Sequence, residues 1–190
     1  MSSPFDWQAI YAHVLQMTLL DIEHYSKQIM GNFPNTYVFT KRMAEHLLVE
    51  NNVKGLPIYM IRPAIIGASL EEPFPGWTDS IGLAGGLYLL AGLGLLREIP
   101  GDPNNIGDIV PVDMVVNQML ASIPYTFQHA KQSKSNLFIN HCATSSVNPV
   151  VWREVMEYLS AYWKRSPYES RIANPSIRMI KSSSLYDVRL

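Results

Sequence analysis

One short apolar run constrains the fold of this chain more than any other feature. Pro57-Ile58-Tyr59-Met60-Ile61 is continuous and apolar, and Arg62-Pro63 ends it. A run of this length that contains β-branched residues is typical of a buried strand in a parallel sheet. A predicted helix, capped by Asn35 or Thr36 and running to about residue 52, precedes it, and Gly55 follows that helix. Helix, short loop and strand together predict an α/β fold.

Hydrophobic spacing predicts further helices and strands along the chain. Proline, glycine and polar clusters separate them. We predict helices over residues 8–30, over 114–123 with Asp113 as N-cap, and from Pro149 to about 164, a strand over 136–142, and loops over 64–77, 100–105 and 128–136.

Composition excludes several classes of protein. The 190 residues are enough for about one domain, and 15 basic against 16 acidic residues give a net charge of −1, which argues against nucleic-acid binding. With 47% hydrophobic and 16% charged residues, the chain is not of the disordered type. The single cysteine, Cys142, excludes a disulfide framework, and the five histidines lack metal-ligand spacing, so no metal site is predicted.

The segment from Ser80 to Leu96 carries no charged residue and contains five glycines. It is short for a membrane-spanning helix, which needs about 20 apolar residues. The glycines also disfavour a helix in water. We interpret it as a mobile or tightly packed apolar segment that borders an apolar ligand; the alternative is a plain buried segment.

One pair of residues has the spacing of a catalytic site. Tyr37 and Lys41 are four residues apart on the predicted helix, so both side chains project from one face. An ammonium group beside a phenol favours the phenolate, and a phenol so placed can protonate a carbonyl oxygen as a general acid. The alternative is an ordinary surface lysine packed over an aromatic ring. The loop after the predicted strand can converge on the same ligand, because ligands bind at the carboxyl ends of parallel strands.

Several segments in order carry a resemblance to a known family. The string from Asn35 to Lys41, followed by Ala44-Glu45, resembles the active-site helix of extended short-chain dehydrogenase/reductases, and more narrowly that of fatty acyl-CoA reductases. The resemblance spans roughly residues 30–175. The other segments that follow the pattern of the family are 61–69, Glu72 to Trp77 with Asp79, 94–97, Asn104-Asn105, Asp108, 110–117, 140–144 and 148–152.

The resemblance implies an activity and a role for individual residues. It implies NADPH-dependent reduction of long-chain acyl-CoA through an aldehyde to a primary alcohol. Tyr37 would be the catalytic acid, and Lys41 would orient the nicotinamide ribose. The strings 72–77 and 108–113 are interpreted as structural. The residues implied to line the nicotinamide side of the cofactor are Pro63, Ala64, Ile65 and Ile66.

One departure from the family pattern shapes the expected domain organisation. The Gly-rich phosphate loop is missing, because Gly82, Gly85 and Gly86 do not stand between a strand and a helix as that loop requires. We therefore expect the distal part of a Rossmann-like, doubly wound parallel sheet that lacks the N-terminal dinucleotide-phosphate half. Residues 1–165 would be a partial NAD(P)-binding domain, and 166–190 the start of a truncated C-terminal region. The isolated chain is then expected to bind NADPH weakly and to be inactive.

Two alternatives remain open at this point. The first is a non-catalytic fragment or binding module of the same fold, and the second is another extended reductase that acts on carrier-bound acyl groups. The resemblance also implies a peroxisomal or endoplasmic-reticulum membrane location, with possible membrane association through a missing C-terminal region. The N-terminal residues do not resemble a signal peptide, and no other targeting signal is recognised in the chain.

Overall fold

The computed structural model describes residues 6–50, 56–130 and 136–181 of the chain. The chain divides into two units, Met1–Ile58 and Tyr59–Leu190, and each is described by itself. The first unit is helical, and the second holds most of the strand pairing.

The first unit contains α1 (Trp7–Val14), α2 (Leu19–Met30) and α3 (Thr36–Glu50). The prediction of one helix over residues 8–30 is wrong, because the helix is interrupted between Val14 and Leu19. Thr18 and Asp21 form a reciprocal capping box there: the Thr18 hydroxyl accepts from the Asp21 N–H, and the Asp21 carboxylate accepts from the Thr18 N–H, both at 3.2 Å. This pair starts a new helix within an otherwise continuous apolar pattern.

Both ends of α3 are held by specific contacts. Asn35 accepts a hydrogen bond from the Val38 N–H at 2.9 Å through its side chain, so it is the predicted cap. At the other end, the Trp7 indole N–H donates to the Glu50 carboxylate at 2.7 Å and joins α1 to α3. The predicted helix is confirmed as far as Glu50, and residues 51 and 52 lie outside the described residues.

The second unit confirms the α/β prediction. In chain order the elements are β1 (Ile58–Pro63), β2 (Ile65–Gly67), α4 (Leu83–Gly92), β3 (Glu98–Pro100), β4 (Ile109–Pro111), α5 (Val112–Ala130), β5 (Leu137–Cys142), α6 (Trp152–Arg165) and β6 (Arg178–Ile180). Strand β2 pairs in parallel with β4, with Ile66 opposite Val110, and β3 pairs in parallel with β6. Strand β1 pairs with β5.

Several predicted loops contain regular structure. Strand β2 lies inside the predicted loop 64–77, and Pro100, predicted to begin a loop, ends β3. Strand β6 lies in the predicted tail region. These strands have three residues each, too few to show an alternating pattern in sequence. Their pairing partners, 44 or more residues away in the chain, stabilise them instead.

Helix α5 is longer than predicted and continues through Pro124 to Ala130. Its buried face continues across the proline, from Ser122 before it to Thr126 after it, so packing outweighs the local cost of the missing N–H. No helix within the described ranges combines the length and the apolar character needed to cross a membrane.

Helix α6 begins at Trp152 rather than at Pro149, and Val151 provides no side-chain cap. The first N–H groups of the helix are satisfied by a distant loop instead. The Trp152 N–H donates to the Asn105 carbonyl at 3.0 Å, and the Arg153 N–H donates to the Pro103 carbonyl at 2.8 Å. The loop carbonyls therefore accept the hydrogen bonds that a capping side chain would otherwise accept.

Within the uncharged segment 80–96, residues Leu83–Gly92 form helix α4 in spite of the glycines. Gly92 is buried against the indole of Trp163 on α6, whose N–H donates to the Tyr88 carbonyl at 3.1 Å. The packing is close because Gly92 has no side chain. The segment was predicted to be mobile or tightly packed, and the end of α4 is tightly packed. The neighbouring core consists of Ala91, Met156 and Ile177.

We expect Gly92→Ala to destabilise the chain. A methyl group at Gly92 would lie 2.3 Å from Trp163 Cε2, so one of the two helices must shift. Overpacking of this kind costs about 1–3 kcal/mol. Urea unfolding followed by circular dichroism measures the change in unfolding free energy.

The matched control is Gly86→Ala on the same helix. The nearest atom to a methyl group at Gly86 is Ile81 Cγ2, at 4.0 Å. This variant should be neutral or gain up to about 1 kcal/mol from helix propensity. Equal destabilisation by both substitutions would contradict the packing explanation.

Candidate active site

Tyr37 and Lys41 lie together on the first turns of α3. The Lys41 Nζ is 5.7 Å from the centroid of the Tyr37 ring. Tyr37 is 67% exposed, and Lys41 is also exposed. Within the described part of the chain, no hydrogen bond or ion pair engages the phenol hydroxyl or the ammonium group. Their polar atoms are therefore available to a ligand, and their catalytic roles stay predictions.

The predicted nicotinamide loop, Pro63 to Ile66, runs from the end of β1 into β2. Its backbone is fixed from two sides: the Ala64 N–H donates to the Cys142 carbonyl at 2.9 Å, and the Ile65 N–H donates to the Asp108 carbonyl at 3.0 Å. Ile66 is 44% exposed. The loop therefore presents accessible side chains from a rigid backbone at the carboxyl end of β1, where ligands bind in parallel α/β sheets.

Asp108 ties the start of β4 to the segment after β5. Its carboxylate accepts from the Thr144 N–H at 2.9 Å, and the Thr144 hydroxyl also donates to the Ile109 carbonyl at 3.2 Å. Hydrogen bonds from Ser145 and Thr144 lower the pKa of Asp108. Cys142 is buried nearby, and burial, together with the negative charge of Asp108, raises the pKa of its thiol. The thiol is thus a packed group rather than a nucleophile.

Asp113 binds a distant backbone segment, a role that its position in the sequence did not predict. It was predicted to cap α5, but it is the second residue of that helix, and its side chain turns to another segment. The carboxylate accepts from the N–H groups of Leu70, Glu71 and Glu72 at 2.9–3.2 Å. Three donors converging on one carboxylate lower the pKa of Asp113 to about 2. A signal was present in the sequence, an acidic residue directly after a short apolar run, but it does not specify which amides are bound.

The string from Glu72 to Trp77 forms an ordered loop, as interpreted. The Ser69 hydroxyl donates to the Phe74 carbonyl at 2.6 Å and accepts from the Trp77 N–H at 3.1 Å. The Ser69 N–H donates to the Trp77 carbonyl at 3.0 Å, which closes the loop. Beside it lies an open cavity of about 460 Å³. Its walls are Glu72, Pro73, Trp77, Val112, Asp113, Val116 and Asn117.

The structure thus brings together Tyr37 with Lys41 in the first unit, and Pro63 to Ile66 with Asp108 and Cys142 in the second. Convergence of the two groups on one cofactor stays a prediction. A Gly-rich phosphate loop requires a strand, then glycines, then a helix. Among the described helices, α4 opens with glycines, but a loop rather than a strand directly precedes it. The same residues contain no cluster of three or more groups suited to hold a metal ion.

A family model described as "Male sterility protein" matches residues 10–119. Among curated proteins, the chain is 38% identical over 159 residues to fatty acyl-CoA reductase 1 of Homo sapiens, covering 84% of this chain and 30% of that protein. It is 37% identical over 155 residues to fatty acyl-CoA reductase 2 of Bos taurus, covering 82% and 29%. The chain therefore spans about a third of the length of the curated relatives it matches.

Solved structures with a similar backbone include two epimerases. UDP-glucuronic acid 4-epimerase from Bacillus cereus, in complex with NAD, is 16% identical with a TM-score of 0.44, over 80% of this chain and 45% of that chain. UDP-glucose 4-epimerase from Bifidobacterium longum, in complex with NAD+ and UDP, is 17% identical with a TM-score of 0.43, over 84% and 50%.

Asp113 makes the stability of the chain sensitive to acid. Because its pKa in the folded chain, about 2, lies below the ordinary value of 3.8, its contribution is complete above pH 3.8 and is lost as the pH falls through about 2. Asp113→Asn should lower the thermal midpoint at pH 7. The difference between the two proteins should shrink between about pH 4 and pH 2. A difference independent of pH across this range would contradict the assignment.

The matched control is Asp79→Asn, which removes an exposed carboxylate two residues after Trp77.

Proposed function

The chain belongs to the male sterility protein family, and we propose that it carries the catalytic helix of an NADPH-dependent reductase of long-chain acyl-CoA. The observation that carries the proposal is the exposed Tyr37–Lys41 pair on α3, within the segment matched by the family model. The identity to two fatty acyl-CoA reductases over more than four fifths of this chain supports the substrate class. Because the chain spans less than a third of each of these two relatives, the activity belongs to the proposal.

In each unit, the proposed cofactor-binding residues have side chains whose chemistry suits the nicotinamide end of the cofactor. Lys41 is exposed and has ammonium donors available for the two hydroxyls of the nicotinamide ribose. Pro63 and Ile66 are exposed on a fixed backbone and would provide an apolar wall for the ring. When bound, the cofactor supplies the hydride for reduction. In the described residues we assign no group to its pyrophosphate, since no Gly-rich turn joins a strand to a helix there.

Tyr37 would serve the reaction as a proton donor. In the proposed reaction, the thioester carbonyl carbon gains a hydride and its oxygen becomes negative in the transition state. The Tyr37 hydroxyl donates its proton to that oxygen, which stabilises charge where it develops. The hemithioacetal then loses coenzyme A thiol to give an aldehyde. A second reduction, with Tyr37 again protonating the oxygen, gives the primary alcohol. Lys41 would hold the phenol and the ribose in position.

The apolar segment 80–96 is the proposed neighbour of the acyl chain. Three of its apolar side chains are exposed although the segment contains a helix that packs on α6: Ile81 at 74%, Leu90 at 41% and Leu95 at 53%. An uncharged surface of this kind suits a hydrocarbon chain.

The proposal is tested in a chimera, in which this chain replaces the matching segment of human fatty acyl-CoA reductase 1. The readouts are NADPH oxidation at 340 nm and fatty alcohol formation from palmitoyl-CoA. Tyr37→Phe keeps the ring and removes the proton donor, so turnover should fall by about 100-fold or more with little change in NADPH affinity. Lys41→Ala should reduce both turnover and NADPH affinity.

The matched controls are Tyr25→Phe and Lys27→Ala on α2, which remove the same groups from another exposed helix. Both should leave turnover unchanged. A chimera that binds NADPH and palmitoyl-CoA but is inert with Tyr37 intact would favour the non-catalytic binding module. Unchanged turnover in Tyr37→Phe would show that the pair is a surface lysine packed over an aromatic ring.

A further inference from the structure

A groove on the second unit lies outside the residues used above. It has a volume of about 540 Å³ and runs along α6, between that helix, Pro103 and strand β6. Its charged side chains are Arg153, Glu157 and Lys164 on α6, and Arg178 on β6. Arg178 is paired with Glu98, so Arg153, Lys164 and Glu157 leave the groove with a net charge of +1, although the chain as a whole has a net charge of −1.

The charges are spread along one face of α6. Arg153, Glu157 and Lys164 stand at positions i, i+4 and i+11 of the helix, so they share a face. At 1.5 Å per residue, the two cations are separated by about 16 Å along the axis. An extended ligand with negative groups at more than one point fits this spacing better than a single small anion does.

Two of the three cations are available to a ligand. Arg178 is held by Glu98, with its Nη2 2.6 Å from the carboxylate. Among the described residues, no ion pair or side-chain hydrogen bond engages Arg153 or Lys164. Arg153 is moreover fixed at its backbone, because its N–H donates to the Pro103 carbonyl. This bond fixes the point on the groove from which the Arg153 side chain extends.

The groove also has an apolar floor. Met156 and Ile177 are 6% and 8% exposed and belong to the core beneath the groove, and Met179 packs against them. Thioether sulfur packs favourably against aromatic rings. Met179, which is only partly buried, therefore offers a surface for a planar base, between cations that suit phosphate groups.

We propose that this groove binds the phosphorylated adenosine end of coenzyme A thioesters. The inference rests on the proposed function, which supplies the substrate, and assigns the nucleotide part of that substrate to residues outside the Tyr37 site. The Arg153 guanidinium and the Lys164 ammonium bind phosphate groups, the adenine lies on the methionine floor, and Glu157 opposes binding through its negative charge.

The test is isothermal titration of the chain with coenzyme A, dephospho-coenzyme A and inorganic phosphate. The double variant Arg153→Ala/Lys164→Ala should weaken coenzyme A binding about tenfold or more. Glu157→Gln should strengthen it by about two- to threefold, an effect that a merely structural role would not produce. Arg165→Ala removes a neighbouring positive charge outside the groove and should leave the affinity unchanged. Circular dichroism verifies that each variant is folded.

Several outcomes would overturn the proposal. The first is that the unaltered chain does not bind coenzyme A. The second is that the folded double variant binds coenzyme A with unchanged affinity. The third is that inorganic phosphate occupies the groove with an affinity equal to that of coenzyme A. Tighter binding of adenosine 2′,5′-bisphosphate than of the 3′,5′ isomer would assign the groove to the dinucleotide cofactor instead. Failure of the reductase proposal is separate, since it appears as a chimera that binds coenzyme A through these residues and still reduces nothing.

Discussion

The carboxylate of Asp113 organises the second unit. It lies at the junction of β4 and α5 and binds three consecutive backbone N–H groups of the segment that follows β2. The three residues are exposed, yet their amides converge on one carboxylate, and hydrogen bonds to an ionised acceptor are stronger than those to a neutral one. Because β2 and β4 are only three residues long, their pairing alone specifies little. The charged contact holds the pair at one end, and the bond from the Ile65 N–H to the Asp108 carbonyl holds it at the other.

The proposed chemistry divides along the same lines as the structure. The first unit carries the proposed catalytic pair, Tyr37 and Lys41, and the second carries a rigid backbone segment, an apolar helix and a groove with cationic side chains. The proton donor is proposed for the first unit and the nucleotide groove for the second, so variants in one unit test the chemistry and variants in the other test binding.

The sequence predicted the parts of the fold that depend on local pattern. The α/β class, strand β1, strand β5 and the helix that carries Tyr37 all follow from apolar spacing and turn residues. The break at Thr18 was missed because a continuous apolar pattern hid a capping box. The start of α6, the packing of Gly92 and the role of Asp113 could not be predicted, since each depends on a partner far away in the chain. For the candidate site, the sequence predicted the proximity of Tyr37 and Lys41, and the groove along α6 did not emerge from it.

The bond between Leu70 and Asp113 joins residues 43 positions apart. A contact of this separation can form only after the intervening chain has been drawn into a closed loop, at an entropic cost that grows slowly with loop length. We expect the amides after β2 to be ordered only after β2 and β4 have met, because loop closure must precede this contact. Their protons should exchange with solvent at a rate set by the opening of that strand pair, so hydrogen exchange at Leu70, Glu71 and Glu72 would report the cooperativity of the whole second unit.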